Sequence, residues 1–97
     1  MPALWIAHVT VTDEASYTKY AKLAGPAIAA HGGHFIARGG RYVQLEGTDR
    51  ARNVVARFPS LEAAEACYHS KEYQEGWALA KNTTERNLQI IKGFNTE

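Results

Sequence analysis

The apolar residues of this chain form two kinds of pattern, strand-like and helix-like, which follow one another along the sequence. Four short runs are apolar on both parities, which is typical of buried β-strands: residues 4–11, 34–39, 53–58 and 88–91. Between these runs, apolar residues recur every three or four positions, which predicts helices over residues 12–31, after residue 60 and from residue 71 to residue 81. A further extended piece is expected over residues 42–46, after the glycine pair at 39 and 40.

Local sequence signals mark the ends of these helices. Residues 12–14 combine a capping side chain with an acid in the first turn, and Ser60 and Ser70 stand where caps of the later helices are needed. Gly25 and Pro26 interrupt the first helix. Proline removes a backbone hydrogen bond and its ring meets the carbonyl four residues back, so we expect a kink or a restart there.

The order strand, helix, strand, strand, helix, strand is that of the ferredoxin-like βαββαβ fold, an α+β architecture. It predicts one domain over residues 1–97, with both helical segments on one face of a four-stranded antiparallel sheet in the order four, one, three, two. A sheet with one wet face should alternate cleanly between apolar and polar residues. These strands do not, so a second copy is expected to cover the other face in a homodimer.

Composition narrows the function classes. The formal net charge is +1 and the 11 Lys and Arg are scattered, which argues against nucleic acid as a partner. No apolar run reaches the length needed to cross a bilayer, and the first residues lack the pattern of a signal peptide. Cys67 is the single cysteine, so no internal disulfide forms. A cytoplasmic protein without membrane contact is therefore expected.

Strand parity sorts the polar candidates. Phe58 leads directly into the second helix, so it should face the helices, and Arg57 should face away from them. On the first strand the odd-numbered residues are uniformly apolar and should face the helices. The even-numbered residues, which include His8, should therefore lie on the same side as Arg57. Strand two is the neighbour of strand three, and its residues His34 and Arg38 are expected on that side too. Four nitrogen-rich side chains would then share one face of the sheet.

These residues predict a pocket for a small anion. His8 is the candidate general acid or base, Arg38 and Arg57 would form an electrostatic clamp, and His34 would contact the ligand. Arg57 is expected to supply much of the positive charge. The first functional hypothesis is accordingly an enzyme or binder of a small polar or aromatic acid that needs no cofactor. No motif fixes a reaction, so whether the protein is an enzyme stays open.

The second hypothesis is a non-enzymatic dimeric module with a structural or stress-related role. Its arginines would pair with Glu46 or Glu72 across the dimer, and His8 would hydrogen-bond to a backbone group. The polar groups of the sheet would then serve the specificity of the dimer.

An aromatic cluster gives a second candidate surface. Tyr20, Tyr73 and Trp77 lie at helical spacing together with Tyr17 and Tyr68. At this spacing such residues usually belong to the core. The alternative is an aromatic-walled cleft between the helices and the sheet, because ligand sites are mostly apolar with a few polar groups. Tyr20, Tyr73 and Trp77 are therefore also candidate ligand contacts.

Metal or cofactor chemistry is not expected. His31 and His34 flank two glycines, but no helical HxxxH pair or Cys/His set accompanies them. His31 and His69 have no distinctive context as heme ligands. Cys67 lies on the apolar side of its helix without an evident cationic neighbour, which favours an inert core thiol.

Taken in order, the sequence resembles one family along nearly its whole length. The residues that carry the resemblance are, in chain order, Trp5 to Val9, Asp13, Tyr17 and Tyr20, His31 to Gly33, Arg38 to Gly40, Leu45 to Gly47, Val54 and Val55, Phe58 to Ser60, Ala64, Tyr68, Ser70, and Glu72 to Gln74. They resemble the domain of unknown function 1330 family of the dimeric α/β-barrel group. Relatives in that group include heme-degrading and quinol monooxygenases, muconolactone isomerases and stress-responsive proteins. The resemblance implies ferredoxin-like subunits that pair through their sheets, and it implies no particular activity.

The chain departs from the family pattern at two places. Gly25-Pro26 breaks a first helix that is more regular in related chains. Ala80-Lys81 stands where the resemblance leads us to expect an arginine near the end of the last helix. If that arginine serves a ligand site in relatives, this chain has altered the site.

Overall fold

The predicted order of strands and helices is confirmed in a computed structural model, which describes residues 1–94. The elements are β1 (Ala3–Val11), α1 (Glu14–Ala30), β2 (His34–Arg38), β3 (Arg52–Phe58), α2 (Leu61–His69), α3 (Lys71–Ala80), a 3-10 turn (Lys81–Thr83) and β4 (Thr84–Lys92). The second helical segment is thus divided into α2 and α3, as expected. β4 begins four residues earlier than the sequence pattern indicated.

The four strands form one antiparallel sheet in the order β2-β3-β1-β4, which is the predicted order. β1 is central and pairs with β3 from Ala3↔Phe58 to Val9↔Arg52. On its other side β1 pairs with β4 from Ala3↔Lys92 to Val11↔Thr84. The chain by itself forms an open sheet and not a closed barrel.

The core lies between the helices and one face of the sheet. Trp5 is its centre, with its ring centroid 5.6 Å from that of Phe58 and 5.1 Å from that of Tyr73. Alternate residues of β1 from Ala3 to Val9 and of β3 from Val54 to Phe58 are buried against the helices, which confirms the predicted parity of both strands: Ala3, Trp5, Ala7, Val9, Val54, Ala56 and Phe58. The opposite face of the sheet is not covered by any helix of the described residues, and His8 and Arg57 are exposed there.

The predicted caps are present. Asp13 Oδ1 accepts hydrogen bonds from the backbone N–H of Ala15 at 3.1 Å, and Ser60 Oγ accepts from the N–H of Ala63 at 3.0 Å. Ser70 Oγ accepts from the N–H of Tyr73 at 3.2 Å, so one serine ends α2 and begins α3. Each cap satisfies a backbone donor that the helix itself leaves unpaired.

The expected restart of α1 is wrong, because the helix runs unbroken from Glu14 to Ala30 with Pro26 inside it. Pro26 is exposed, whereas Ala24, Ala27 and Ile28 around it are buried. The packing of these buried residues stabilises a continuous helix, although proline cannot make the backbone hydrogen bond at this position.

Two connecting segments flank β2 along the chain. Between α1 and β2 the backbone of Gly33 packs closely against the core. A Cβ atom at this position would lie 2.7 Å from side-chain atoms of Ile28 and Phe58. Residues 41–45 pair with no strand, and Tyr42 Oη donates to Asp49 Oδ1 at 2.7 Å. No helix within the described residues is long and apolar enough to cross a membrane.

Candidate functional site

A cleft of about 660 Å³ opens between α1 and the helix-covered face of the sheet. Val9 and Tyr20 are among the apolar and aromatic residues of its wall. Its charged lining consists of four cations and one carboxylate: Lys22, Arg38, Arg52, Arg86 and Glu14. The cleft is therefore a mostly apolar space with an excess of positive charge, which is the general composition of a site for a small anionic ligand.

Arg86 supplies the most enclosed of these charges. It lies on β4 opposite Val9 and is half-buried. Its Nη1 donates to Tyr73 Oη at 2.8 Å and to Tyr20 Oη at 3.2 Å. The guanidinium carbon lies 3.6 Å from the ring centroid of Trp77, a close cation–π contact. α1, α3 and β4 thus each contribute to holding one arginine in a fixed position.

No carboxylate pairs with Arg86 among residues 1–94. The two hydrogens of Nη1 are used by the tyrosines, and the N–H groups on Nε and Nη2 have no hydrogen-bond partner in the part of the chain described. An arginine has five such donors and cannot give up its proton. Arg86 is therefore a fixed cation with donors left over at the wall of a cleft.

The two tyrosines are neutral supports. Their hydroxyl oxygens are 2.7 Å apart, so one donates to the other. Burial raises the pKa of Tyr20 and of Tyr73, which keeps both phenols protonated at neutral pH. Burial opposes the charge on Arg86, but its pKa is still raised because the oxygens of Tyr73 and Tyr20 favour the cation.

Two other arginines, Arg52 and Arg38, also line the cleft. Arg52 stacks over the ring of Tyr17 at 4.6 Å, and its Nη2 is 3.2 Å from Glu14 Oε1, so its charge is largely compensated. Arg38 is exposed and stacks over the ring of Phe35 at 4.4 Å. It has no carboxylate partner within residues 1–94.

The prediction that Arg38 shares a face with Arg57 is wrong. β2 pairs with β3 as His34↔Arg57 and Phe35↔Ala56, but then continues as Ala37↔Val55 and Arg38↔Val54. The irregularity between Phe35 and Ala37 is a β-bulge, which adds one residue and reverses the parity of the strand beyond it. Arg38 is thereby turned to the helix-covered face and lines the cleft.

His8, His34 and Arg57 lie together on the open face, as predicted, but His8 and Arg57 are not neighbours. Arg57 is opposite Leu4, which is four residues from His8 and therefore about 13 Å away along β1. His34 is the direct cross-strand neighbour of Arg57. The expected acid/base and clamp arrangement does not assemble at one point within the single chain.

His8 also differs from the alternative expectation of a bond to backbone. Its Nδ1 lies 2.7 Å from Asn53 Oδ1. Asn53 Nδ2 donates to the carbonyl of Arg50 at 3.0 Å, which orients the amide so that its oxygen accepts from His8. His8 is therefore the Nδ1–H tautomer when neutral, with Nε2 as its remaining acceptor.

The aromatic candidates divide between the core and the cleft. Tyr20 lines the cleft directly, whereas Tyr73 and Trp77 hold Arg86 from the side of α3. Cys67 is fully buried, and burial raises its pKa to about 11, so the thiol stays protonated at neutral pH.

No group of three or more potential metal ligands converges within residues 1–94.

Sequence reasoning missed Arg52 and Arg86. The sequence pattern predicts that the last strand begins at Leu88, so Arg86 falls outside it. The signal was present: Arg86, Leu88 and Ile90 have one parity, and the last two pack against the core. Arg52 stands one residue before the predicted start of β3 and lies opposite Val9.

Comparison with known proteins places this fold in a family. The profile of DUF1330, a domain of unknown function, matches residues 2–94. The chain belongs to this family. The resemblance drawn from the sequence is thus confirmed over nearly the whole chain. No functionally curated protein was found to match.

Solved structures of other proteins share this fold. RPA0582 of Rhodopseudomonas palustris, a protein of unknown function, is 17% identical with a TM-score of 0.79, covering 98% of this chain and 84% of that one. SnoaB of Streptomyces nogalater, a cofactor-independent oxygenase, is 12% identical with a TM-score of 0.65, covering 98% and 95%. A dimeric ferredoxin-like protein of unknown function from Bacteroides fragilis is 10% identical with a TM-score of 0.64, covering 95% and 96%. Identities this low establish the fold and not an activity.

Proposed function

We propose that this DUF1330 protein binds a small carboxylic acid, polar or aromatic, in the cleft between α1 and the sheet. The observation that carries the proposal is Arg86, a half-buried cation at the cleft wall with no carboxylate partner among residues 1–94. Burying a charge is costly unless it is paired, and a carboxylate can accept two N–H groups of one guanidinium. A bound acid would supply this pair.

The walls of the cleft support an apolar or aromatic body on that acid. Val9, Tyr17, Tyr20 and Ile28 line the cleft, and its volume of about 660 Å³ lies within the usual range for small-molecule sites. SnoaB, which shares the fold, is described as a cofactor-independent oxygenase. By analogy of fold alone, this supports a site that works on a small molecule without a cofactor.

Arg57 and His8, which the sequence analysis put at the ligand site, are not part of the proposed binding site. Both lie on the open face, away from the cleft, and His8 is about 13 Å along β1 from Leu4, the residue opposite Arg57. Arg38, Tyr20, Tyr73 and Trp77 keep their proposed part in ligand binding, the first two as lining and the last two as supports of Arg86.

We further propose that the protein is a cytoplasmic homodimer that pairs through the open faces of its sheets. Leu4, Ile6, Val55 and Ile91 form an apolar band on this face that no described helix covers. The Bacteroides fragilis protein of similar fold is dimeric. A stable interface would bury more than about 1,000 Å². Sedimentation equilibrium at micromolar concentration should give the mass of a dimer, and a monomer would overturn the proposal.

The acid-binding proposal is tested by calorimetric titration of benzoate into three proteins: the unaltered chain, Arg86→Gln and Arg57→Gln. Arg86→Gln should weaken binding by roughly tenfold or more, because it removes a charge-assisted pair from a half-buried site. Arg57→Gln, on the opposite face of the sheet, should bind benzoate like the unaltered chain. Arg86→Lys keeps the positive charge and serves as a second variant if Arg86→Gln unfolds.

Unchanged affinity in Arg86→Gln, or loss of binding in Arg57→Gln with the dimer intact, would overturn this assignment. The fold of every variant is checked by its thermal unfolding before titration.

A further inference from the structure

We infer that the ligand of this cleft is a dianion, such as a dicarboxylic acid, with one anionic group at Arg86 and the other at Arg38. The inference rests on the proposed acid-binding function and names the class of acid. It is carried by the placement of these two arginines on opposite sides of one cleft.

The strand register fixes the distance between them. Arg86 lies opposite Val9 on β4, and Arg38 lies on β2 opposite Val54, which is itself opposite Ala7. The two arginines are thus three strands apart across the sheet and one two-residue step apart along it. With strand spacings near 4.8 Å and a rise near 3.4 Å per residue, their Cα atoms are about 16 Å apart. Both side chains line the same cleft, so one molecule with two separated anionic groups can contact both arginines.

The charge of the lining leads to the same ligand class. Glu14 is the only carboxylate that lines the cleft within the described residues, and it lies 3.2 Å from Arg52. Arg38, Arg86 and Lys22 have no ion pair among residues 1–94, so the lining keeps a net charge of +3. One carboxylate at Arg86 would leave most of this charge uncompensated. A second anionic group on the same molecule would therefore bind favourably.

The β-bulge of β2 supports a specific use of Arg38. A regular strand would have put Arg38 on the open face with His34, and the bulge turns it into the cleft instead. Bulges frequently re-aim a side chain at a functional site. The stack of Arg38 on Phe35 at 4.4 Å holds the guanidinium over the cleft wall, and Gly39, with a φ of 67°, ends the strand immediately afterwards.

The test compares three ligands on the unaltered chain by calorimetric titration at low salt. Terephthalate carries two carboxylates, 4-carbamoylbenzoate has nearly the same shape with one, and benzoate is the smaller monoanion. Terephthalate should bind roughly twofold to fivefold tighter than 4-carbamoylbenzoate, as expected for one further pair at an exposed arginine. Arg38→Gln should remove this preference, because it should lower the affinity for terephthalate more than the affinity for 4-carbamoylbenzoate.

Arg41→Gln is the matched control, because Arg41 is exposed three residues further on and does not line the cleft. It should keep the preference for the dianion. Equal affinity for terephthalate and 4-carbamoylbenzoate, or a preference that survives Arg38→Gln, would overturn the dianion inference while the acid-binding function stands. Failure of all three acids to bind would overturn the acid-binding function itself.

Discussion

Replacing Tyr73 by phenylalanine isolates the hydroxyl that holds Arg86 most closely. The ring of Tyr73 is fully buried and packs against Trp5 at 5.1 Å between centroids, so phenylalanine keeps these contacts. What is lost is the acceptor 2.8 Å from Arg86 Nη1 and the partner 2.7 Å from Tyr20 Oη. The substitution therefore tests the hydrogen bonds of the cluster and not its packing.

The magnitude follows from the kind of hydrogen bond removed. A bond to a charged group contributes about 1.5–3 kcal/mol, and its removal here leaves one donor of a half-buried cation without an acceptor. Arg86 keeps its bond to Tyr20 at 3.2 Å and its contact with Trp77, which limits the loss. We expect Tyr73→Phe to lower the free energy of unfolding by about 2 kcal/mol.

The measurement is equilibrium unfolding in urea, with Tyr68→Phe as the matched control. Tyr68 belongs to the same aromatic core, with its ring 5.6 Å from that of Tyr73, but its hydroxyl makes no hydrogen bond within the described residues. Tyr68→Phe should therefore change the free energy of unfolding by less than about 0.5 kcal/mol. If Tyr73→Phe is as stable as Tyr68→Phe, the Arg86 cluster does not contribute as argued.

Two further predictions concern the stability of the fold. Ser60→Ala removes the cap of α2 and should cost about 1 kcal/mol in urea unfolding, and an unchanged midpoint would contradict the cap assignment. Burial raises the pKa of Cys67 from 9.0 to about 11, so the unfolded chain loses the thiol proton first as pH rises. The stabilisation is complete below pH 9 and is lost towards pH 11. Cys67→Ala should lower the pH dependence of stability between pH 9 and 10, and an identical dependence would count against this effect.

The fold was predictable because its signals are local and redundant. The spacing of apolar residues, the caps at Ser60 and Ser70, and the parity of β1 and β3 each depend on a few neighbouring residues. Together they led to the correct order of elements and of strands in the sheet. The uninterrupted α1 shows the limit of a local rule, since the buried stripe around Pro26 outweighs the lost hydrogen bond.

The site was less predictable because it depends on register. The parity of Arg38 is reversed by a bulge that no residue pattern in the short run of β2 reveals. Arg86 faces the cleft only because β4 extends back to Thr84, beyond its apolar residues. The sequence identifies the aromatic residues Tyr20, Tyr73 and Trp77 as candidates. Their common partner, Arg86, is recognised only from the pairing of β4 with β1 in the structure.

The central claim is that Arg86 receives the carboxylate of a small acid. Its most direct test is the ¹H–¹⁵N resonance of the Arg86 Nε–H group during a titration with benzoate, followed together with the Nε–H of Arg57. The account predicts a saturable shift of the Arg86 resonance while that of Arg57 stays unchanged. A saturable shift at Arg57 with Arg86 unmoved would contradict it.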